Sequence, residues 1–127
     1  MKKFLILVTA SVIATCLVAG CAGGVLTYDD PEQPINASVN QEFIIALGAN
    51  PTTGYDWEEG FDETMLKLID KTYKTAEEAE HEVIGAGGID YFRFKALKKG
   101  TTEITMVYKR SWEEESAEQR VFTVNIK

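Results

Sequence analysis

Apolar side chains recur at every second position over several short stretches of this chain. Residues 91–96, 104–108 and 122–126 each alternate apolar and polar side chains, as strands with one buried face do. Residues 43–47 are almost continuously apolar, which is typical of a central strand in a sandwich of two sheets. Residues 65–73 show a weaker alternation. The pattern therefore predicts short β-strands as the main elements.

Turn-forming residues separate these apolar stretches. They lie at residues 50–54, 85–88, 98–100 and 113–119. Six or seven short strands, with turns about every 8 to 12 residues, are typical of an antiparallel β-sandwich. Residues 75–82 (TAEEAEHE) fit either a helical turn or a solvated acidic loop. The sequence thus predicts an all-β fold, with a single domain over residues 35–127.

The first 20 residues predict an export signal. A basic start at residues 1–3 precedes an apolar run over residues 4–18, and small residues follow. The run is too short for a comfortable membrane span, which needs about 20 apolar residues. The string Val18-Ala19-Gly20-Cys21 resembles the bacterial lipobox, which implies cleavage before Cys21 and attachment of lipid to its sulfur.

The alternative is an ordinary signal, cleaved near Ala19 or Ala22, that leaves Cys21 as a free thiol. The chain has two cysteines, and Cys16 lies inside the signal, so the folded part has none. An exported domain without disulfides, whose one cysteine stands at its N-terminus, favours the anchor. We therefore expect an exported protein, lipid-anchored to the cell membrane or outer membrane of a bacterium. Residues 21–34 are then a flexible tether.

Charge excludes one large class of partner. The chain has 13 Lys and Arg against 20 Asp and Glu, and loss of Lys2 and Lys3 with the signal takes its net charge from −7 to −9. Nucleic acid would repel so acidic a domain, and the sequence has no basic stripe with interleaved aromatic residues. We expect no nucleic acid to bind.

The residues that catalysis needs are scarce. His81 is the single histidine and lies among Glu78, Glu80 and Glu82, where a solvated side chain is the ordinary outcome. The sequence has no nucleophile elbow, no phosphate-binding glycine loop and no cluster with metal-ligand spacing. A glycosidase needs only two carboxylates, yet no pair stands out from the acidic runs. We expect no catalytic residues, no metal and no cofactor.

Three loops carry the remaining information, and each has a plain structural alternative. Residues 50–54 (NPTTG) predict a rigid tip with two small side chains, or simply a turn between strands. Residues 85–88 (GAGG) predict a backbone that approaches another surface closely, or a flexible hairpin. Trp112, after Arg110, is either a core side chain or an exposed binding anchor. In an immunoglobulin-like sandwich, these loops can lie at one end.

Together the three loops resemble the chagasin family, immunoglobulin-like inhibitors of papain-type cysteine peptidases. The family's motifs are Asn-Pro-Thr-Thr-Gly-Tyr/Phe, Gly-x-Gly-Gly and Arg-Pro-Trp, in that order along the chain. The resemblance spans about residues 38 to 127, with a fold of about seven strands. It implies a peptidase-binding set of Asn50, Pro51, Thr52, Thr53, Gly54, Tyr55, Gly85, Ala86, Gly87, Gly88, Arg110, Ser111 and Trp112.

The resemblance also implies a mechanism. The Thr-Thr tip enters the cleft of the peptidase beside its catalytic cysteine, and the glycine and tryptophan loops grip the two walls. Ser111 stands where the family usually has proline, which predicts a less rigid loop and weaker or slower-closing inhibition, but not its loss. The acidic stretch at residues 77–82, next to the glycine loop, predicts a narrower range of target enzymes. We expect a monomeric inhibitor.

Two other functions fit the same residues. The first is a non-inhibitory surface module that holds another protein or a glycan by the same edge. The second is a surface hydrolase that works with acidic residues. Stoichiometric loss of peptidase turnover distinguishes an inhibitor from both.

Overall fold

The structure is a computed structural model that describes residues 24–79 and 87–127. The predicted signal, Cys21, His81, Gly85 and Ala86 lie outside the described residues. Eight strands are present in the described part: β1 (Leu26–Tyr28), β2 (Ile35–Ala37), β3 (Glu42–Ala49), β4 (Tyr55–Phe61), β5 (Leu66–Thr75), β6 (Gly88–Ala96), β7 (Gly100–Arg110) and β8 (Glu118–Ile126). A short helix α1 (Ala76–Ala79) follows β5. None of the helices described is long and apolar enough to cross a membrane.

The strands form two four-stranded sheets, in the orders β1-β3-β6-β5 and β2-β8-β7-β4. The central pairs β3–β6, β5–β6, β7–β8 and β4–β7 are antiparallel. The immunoglobulin-like β-sandwich is therefore confirmed. Two details differ from the prediction: β1 pairs with β3, and β2 with β8, in parallel, and the strands number eight in the described residues.

The two parallel strands correct the predicted tether. Leu26–Tyr28 lie beside residues 43–45 in the first sheet, and Tyr28 is buried with its ring at the edge of the Phe43 ring. Residues 21–34 are therefore not a free tether throughout, because part of the segment belongs to the sandwich. The chain then crosses to the second sheet, where Ile35 is fully buried. Three residues are too few for an alternating pattern to be seen in the sequence.

The core fills the space between the two sheets. Its largest buried side chains are Trp57, Phe43, Phe92, Phe94, Phe122, Ile35, Ile45, Leu47, Leu66, Ile104 and Met106. Every member of this cluster lies between Tyr28 and Ile126. A chain that begins at Ala22 therefore retains the whole described core.

Of the two structures expected for residues 75–82, a helical turn or an acidic loop, the described part forms the helical turn. The Thr75 hydroxyl accepts a hydrogen bond from the Glu78 backbone N–H at 3.3 Å, and the Glu78 carboxylate accepts one from the Thr75 N–H at 3.1 Å. This reciprocal arrangement is a capping box, which satisfies backbone N–H groups at a helix start. The hydrogen bonds that the Glu78 carboxylate accepts from the Thr75 N–H and hydroxyl lower the pKa of Glu78.

Candidate functional site

The loop between β3 and β4 is a compact tip held by its own side chains. Residues 51–53 form one turn of 3-10 helix, and Gly54 ends it in the left-handed region at a φ of 85°. The Thr52 hydroxyl donates to the Asn50 side-chain oxygen at 2.6 Å, and the Thr53 hydroxyl donates to the Asn50 carbonyl at 2.7 Å. The Pro51, Thr52 and Thr53 side chains are all exposed. The tip is therefore exposed yet internally hydrogen-bonded.

A column of aromatic rings connects this tip to the core. Tyr55 stacks on Tyr108 at a centroid distance of 5.2 Å, and Tyr108 lies 4.7 Å from Trp57, which is 1% exposed. The Tyr108 hydroxyl also accepts a hydrogen bond from the Asn50 N–H at 3.1 Å. The rings fix the start of the loop against β7. Tyr55 is thus half-buried and supports the tip from below.

The third loop lies against the first. The Arg110 Nε donates to the Thr53 carbonyl at 3.1 Å, and its guanidinium lies 4.4 Å from the centre of the Tyr55 ring. Trp112 is 71% exposed, and a Cβ at Gly54 would lie only 2.5 Å from the Trp112 ring. Trp112 is therefore an exposed side chain packed across Gly54. The alternative that it belongs to the core is wrong.

The second loop meets the tip on another side. Gly87 has a φ of 104°, and a Cβ there would lie 2.9 Å from the Ala49 carbonyl oxygen and 3.1 Å from the Asn50 Cα. Gly88 is buried in β6, where a Cβ would lie 2.1 Å from the Lys74 carbonyl oxygen. The absence of side chains at both glycines is thus required inside the domain itself. The structure brings the described parts of all three loops together at one end.

Ser111, which stands where the family motif usually has proline, lies in a tight turn of the third loop. The Arg110 carbonyl accepts a hydrogen bond from the Glu113 N–H at 3.1 Å, so Ser111 is the second residue of a four-residue turn. Proline is favoured at that position because its fixed φ suits the turn. Ser111→Pro is therefore expected to stabilise the domain by up to about 1 kcal/mol. We expect it also to tighten peptidase inhibition by roughly two- to fivefold.

Inhibition constants and urea unfolding of the same preparations measure both effects. Ser116→Pro, in the acidic loop outside this turn, is the matched control and is expected to leave the inhibition constant unchanged. Inhibition by Ser111→Pro that is no tighter than that of the unsubstituted protein would count against a role for loop rigidity.

A cavity with charged side chains on its wall lies directly beside the tip. It measures about 680 Å³ and its lining includes Pro51, Gly54 and Ser111 of the tip and third loop. Residues of β4, β5, β6 and β7 complete its wall, namely Tyr55, Asp56, Glu58, Lys71, Tyr73, Asp90 and Lys109. No pattern in the sequence indicates this cavity, because its lining comes from two loops and four strands.

Asp90 is the unusual member of the cavity wall. It is 4% exposed, and its Oδ2 has no hydrogen-bond partner. The Lys71 ammonium lies 3.2 Å from the Asp56 carboxylate and donates to the Trp57 carbonyl at 3.0 Å. Burial raises the pKa of Asp90 to about 6, opposed by Lys71 and assisted by the neighbouring Asp56. The alternation in β6 puts residue 90 on the inward face with Phe92, so the sequence alone indicates an acidic side chain at an inward position.

The raised pKa predicts a pH-dependent effect of Asp90→Asn on stability. Between about pH 4 and 6 the folded protein keeps a proton that the unfolded chain has lost, so stability due to Asp90 falls as the pH rises through this interval. At about pH 7.5, Asp90→Asn is expected to raise the free energy of unfolding by up to about 3 kcal/mol. At about pH 3, where both states are protonated, the difference is expected to approach zero.

Urea unfolding at the two pH values checks this effect. Glu103→Gln, an exposed substitution with the same change in charge, is expected to change the free energy of unfolding by less than about 0.5 kcal/mol at both. An equal effect of Asp90→Asn at both pH values would show that ionisation is not its cause.

Comparison with known sequences identifies the family. Residues 36–126 match the family described as Chagasin family peptidase inhibitor. This chain belongs to the chagasin family of peptidase inhibitors. Family membership confirms the resemblance seen in the sequence, and it confirms that the protein is an inhibitor rather than an enzyme.

Individual members of the chagasin family agree with this result. The chain is 31% identical to amoebiasin-2 of Entamoeba histolytica over 111 residues, which is 87% of this chain and 89% of that one. It is 28% identical to chagasin of Trypanosoma cruzi, over 73% of this chain and 86% of chagasin. Among solved structures, it is similar to the cysteine protease inhibitor EhICP2 of Entamoeba histolytica, with a TM-score of 0.64 and 25% identity. That similarity covers 84% of this chain and all of the other.

Proposed function

We propose that this chagasin-family protein is a reversible, tight-binding inhibitor of papain-like cysteine peptidases, and that its three loops occlude the active-site cleft. One observation carries the proposal. Gly87 lies in contact range of Asn50 at the start of the loop that carries the exposed Thr52–Thr53 tip, and the Trp112 ring packs across Gly54 at the end of that loop. This edge therefore presents two small threonine side chains, together with glycine backbone from the second loop and a flat apolar indole ring from the third.

The rigidity of the tip supports tight binding. Both threonine hydroxyls are bound to Asn50, and Arg110 holds the Thr53 carbonyl. Groups that are already ordered lose little conformational entropy when a partner binds them. The tip therefore enters a cleft without reorganisation. Inhibition follows from occlusion, since the tip need place no peptide carbonyl for attack by the catalytic cysteine.

Trp112 and Arg110 supply the apolar and charged contacts beside the tip. Trp112 exposes most of its indole, and tryptophan and arginine are the residue types enriched among binding hot spots. The Arg110 guanidinium lies 5.9 Å from the Trp112 ring and donates to the Glu113 carboxylate at 3.0 Å, so its position is set before binding. Glu113 raises the pKa of Arg110 through this hydrogen bond. We propose that these two side chains contact one wall of the cleft.

Competition at the cleft tests this function. Papain whose catalytic cysteine carries a bulky peptidyl inhibitor has a filled cleft and is otherwise unchanged. We expect the domain lacking residues 1–21 to bind active papain and to lose measurable binding to the blocked enzyme in surface plasmon resonance. Binding of equal strength to both forms would place the contact outside the cleft and favour a non-inhibitory binding module.

We further propose that the protein acts as a monomer anchored by lipid on Cys21 in the bacterial cell envelope. The lipobox-like string before Cys21 supports the anchor. Several acyl chains would hold the domain firmly, since each buried methylene contributes roughly 0.8 kcal/mol. Expression of Cys21→Ser in a bacterial host is expected to prevent labelling with radioactive palmitate, whereas Cys16→Ser keeps it. Labelling of Cys21→Ser would refute the anchor.

A further inference from the structure

The cavity beside the tip contains a carboxylate without an ion-pair partner. Two of its acidic side chains have basic partners on the cavity wall: Asp56 lies 3.2 Å from Lys71, and Glu58 lies 4.0 Å from Lys109. Asp90 makes no such pair, although it is almost completely buried. The cavity wall thus has three carboxylates and two ammonium groups, and one further positive charge would balance them.

A buried carboxylate with an unsatisfied oxygen is unfavourable for a domain that acts alone. Such groups are normally hydrogen-bonded, and each exception calls for an explanation. The cavity wall includes Gly54 and Ser111, so the cavity adjoins the edge on which we propose that the partner docks. Tyr73, which is 37% exposed, adds aromatic surface to the same wall. Aromatic faces attract cations, and guanidinium groups most of all.

We propose that this cavity is a recognition site for a basic side chain, an arginine or a lysine, on the rim of the target peptidase's cleft, with Asp90 as its acceptor. The proposal rests on the proposed inhibitory function for the identity of the partner. It adds a contact outside the three loops. Peptidases with a basic side chain at that rim position would be bound more tightly than those without one.

The first test needs no peptidase. We would titrate the protein lacking residues 1–21 with N-acetyl-arginine amide and follow backbone amide and Asp carboxyl shifts by NMR. Saturable shifts at residues 56, 73 and 90 are expected, with a dissociation constant on the order of millimolar for so small a ligand. The uncharged isostere N-acetyl-citrulline amide, and the Asp90→Asn variant, are expected to show no saturable shift. Absence of saturation with the arginine compound would overturn the cation site.

The second test asks whether the basic side chain that binds in the cavity belongs to the peptidase. With papain as the probe, Asp90→Asn is expected to weaken inhibition about tenfold or more, since loss of one member of a buried charge pair mainly accelerates dissociation. Glu103→Gln changes the net charge equally but lies at the far end of β7, and is expected to change inhibition less than twofold. Equal inhibition by Asp90→Asn and the unsubstituted protein would overturn the assignment to a peptidase side chain. That outcome would leave the proposed inhibitory function intact. If the inhibitory function itself is wrong, neither the unsubstituted protein nor Asp90→Asn will inhibit papain.

Discussion

Thr53→Arg is expected to weaken inhibition of papain about a hundredfold or more while leaving the fold unchanged. Thr53 is exposed at the tip, and its small side chain is folded back onto the Asn50 carbonyl. An arginine there brings a long, charged group to the part of the surface that must enter a narrow cleft, and steric clash with desolvation opposes binding. Because the side chain is exposed and loses one hydrogen bond, to the Asn50 carbonyl, the free energy of unfolding should fall by no more than about 1.5 kcal/mol.

The inhibition constant of Thr53→Arg, measured from residual turnover, tests the position of the tip. Thr101→Arg is the matched control, because Thr101 is an exposed threonine at the opposite end of β7. We expect Thr101→Arg to inhibit like the unsubstituted protein. If both arginine variants retain full inhibition, the tip does not enter the cleft, and another surface must carry the function.

Trp57→Ala is expected to lower the free energy of unfolding by about 3 to 5 kcal/mol. Trp57 is buried in β4, and its indole N–H donates to the Gly48 carbonyl of the opposite sheet at 2.9 Å. The ring also supports Tyr108, whose hydroxyl holds the Asn50 N–H. Its removal leaves a large cavity, an unpaired carbonyl and a less constrained tip. Trp57→Phe, which keeps a ring but loses the N–H, should cost about 1 to 3 kcal/mol.

The second tryptophan provides the control for this effect. Trp112→Ala removes the same side chain from an exposed position, and is expected to change stability by less than about 0.5 kcal/mol while weakening inhibition about tenfold or more. Urea unfolding followed by circular dichroism measures stability independently of tryptophan fluorescence. Equal losses of stability at both positions would contradict the assignment of Trp57 to the core and Trp112 to the binding edge.

Much of the sandwich can be predicted from alternation alone. The five apolar stretches of the sequence correspond to strands β3, β5, β6, β7 and β8, apart from Met65, which precedes β5, because a strand of five or more residues with apolar inward positions leaves a recognisable pattern. Strand β4 is not among the predicted strands, although Tyr55, Trp57 and Phe61 alternate in the same way. Residues 50–57 contain the loop motif, so the point at which the tip ends and the strand begins is not apparent from the sequence. The β1 and β2 strands are too short to show any period.

The proximity of the three loops follows from the topology of the sandwich, whereas their role in binding stays a prediction. Order and spacing place three unusual loops at one end of a sandwich, and the structure brings their described parts together. Two features depend on tertiary contacts that no local pattern encodes. Gly88 lacks a side chain because of the neighbouring Lys74 carbonyl, and the cavity around Asp90 forms only where four strands meet.

The most direct test of the inhibitory function is a titration of active-site-quantified papain with the domain lacking residues 1–21, followed through residual turnover. Inhibition by occlusion predicts a linear fall to nearly zero at one equivalent, with the domain recovered uncleaved. Unchanged turnover, with papain and with cathepsin-type enzymes alike, would contradict it. The three-loop edge would then be the binding surface of a module with a different partner.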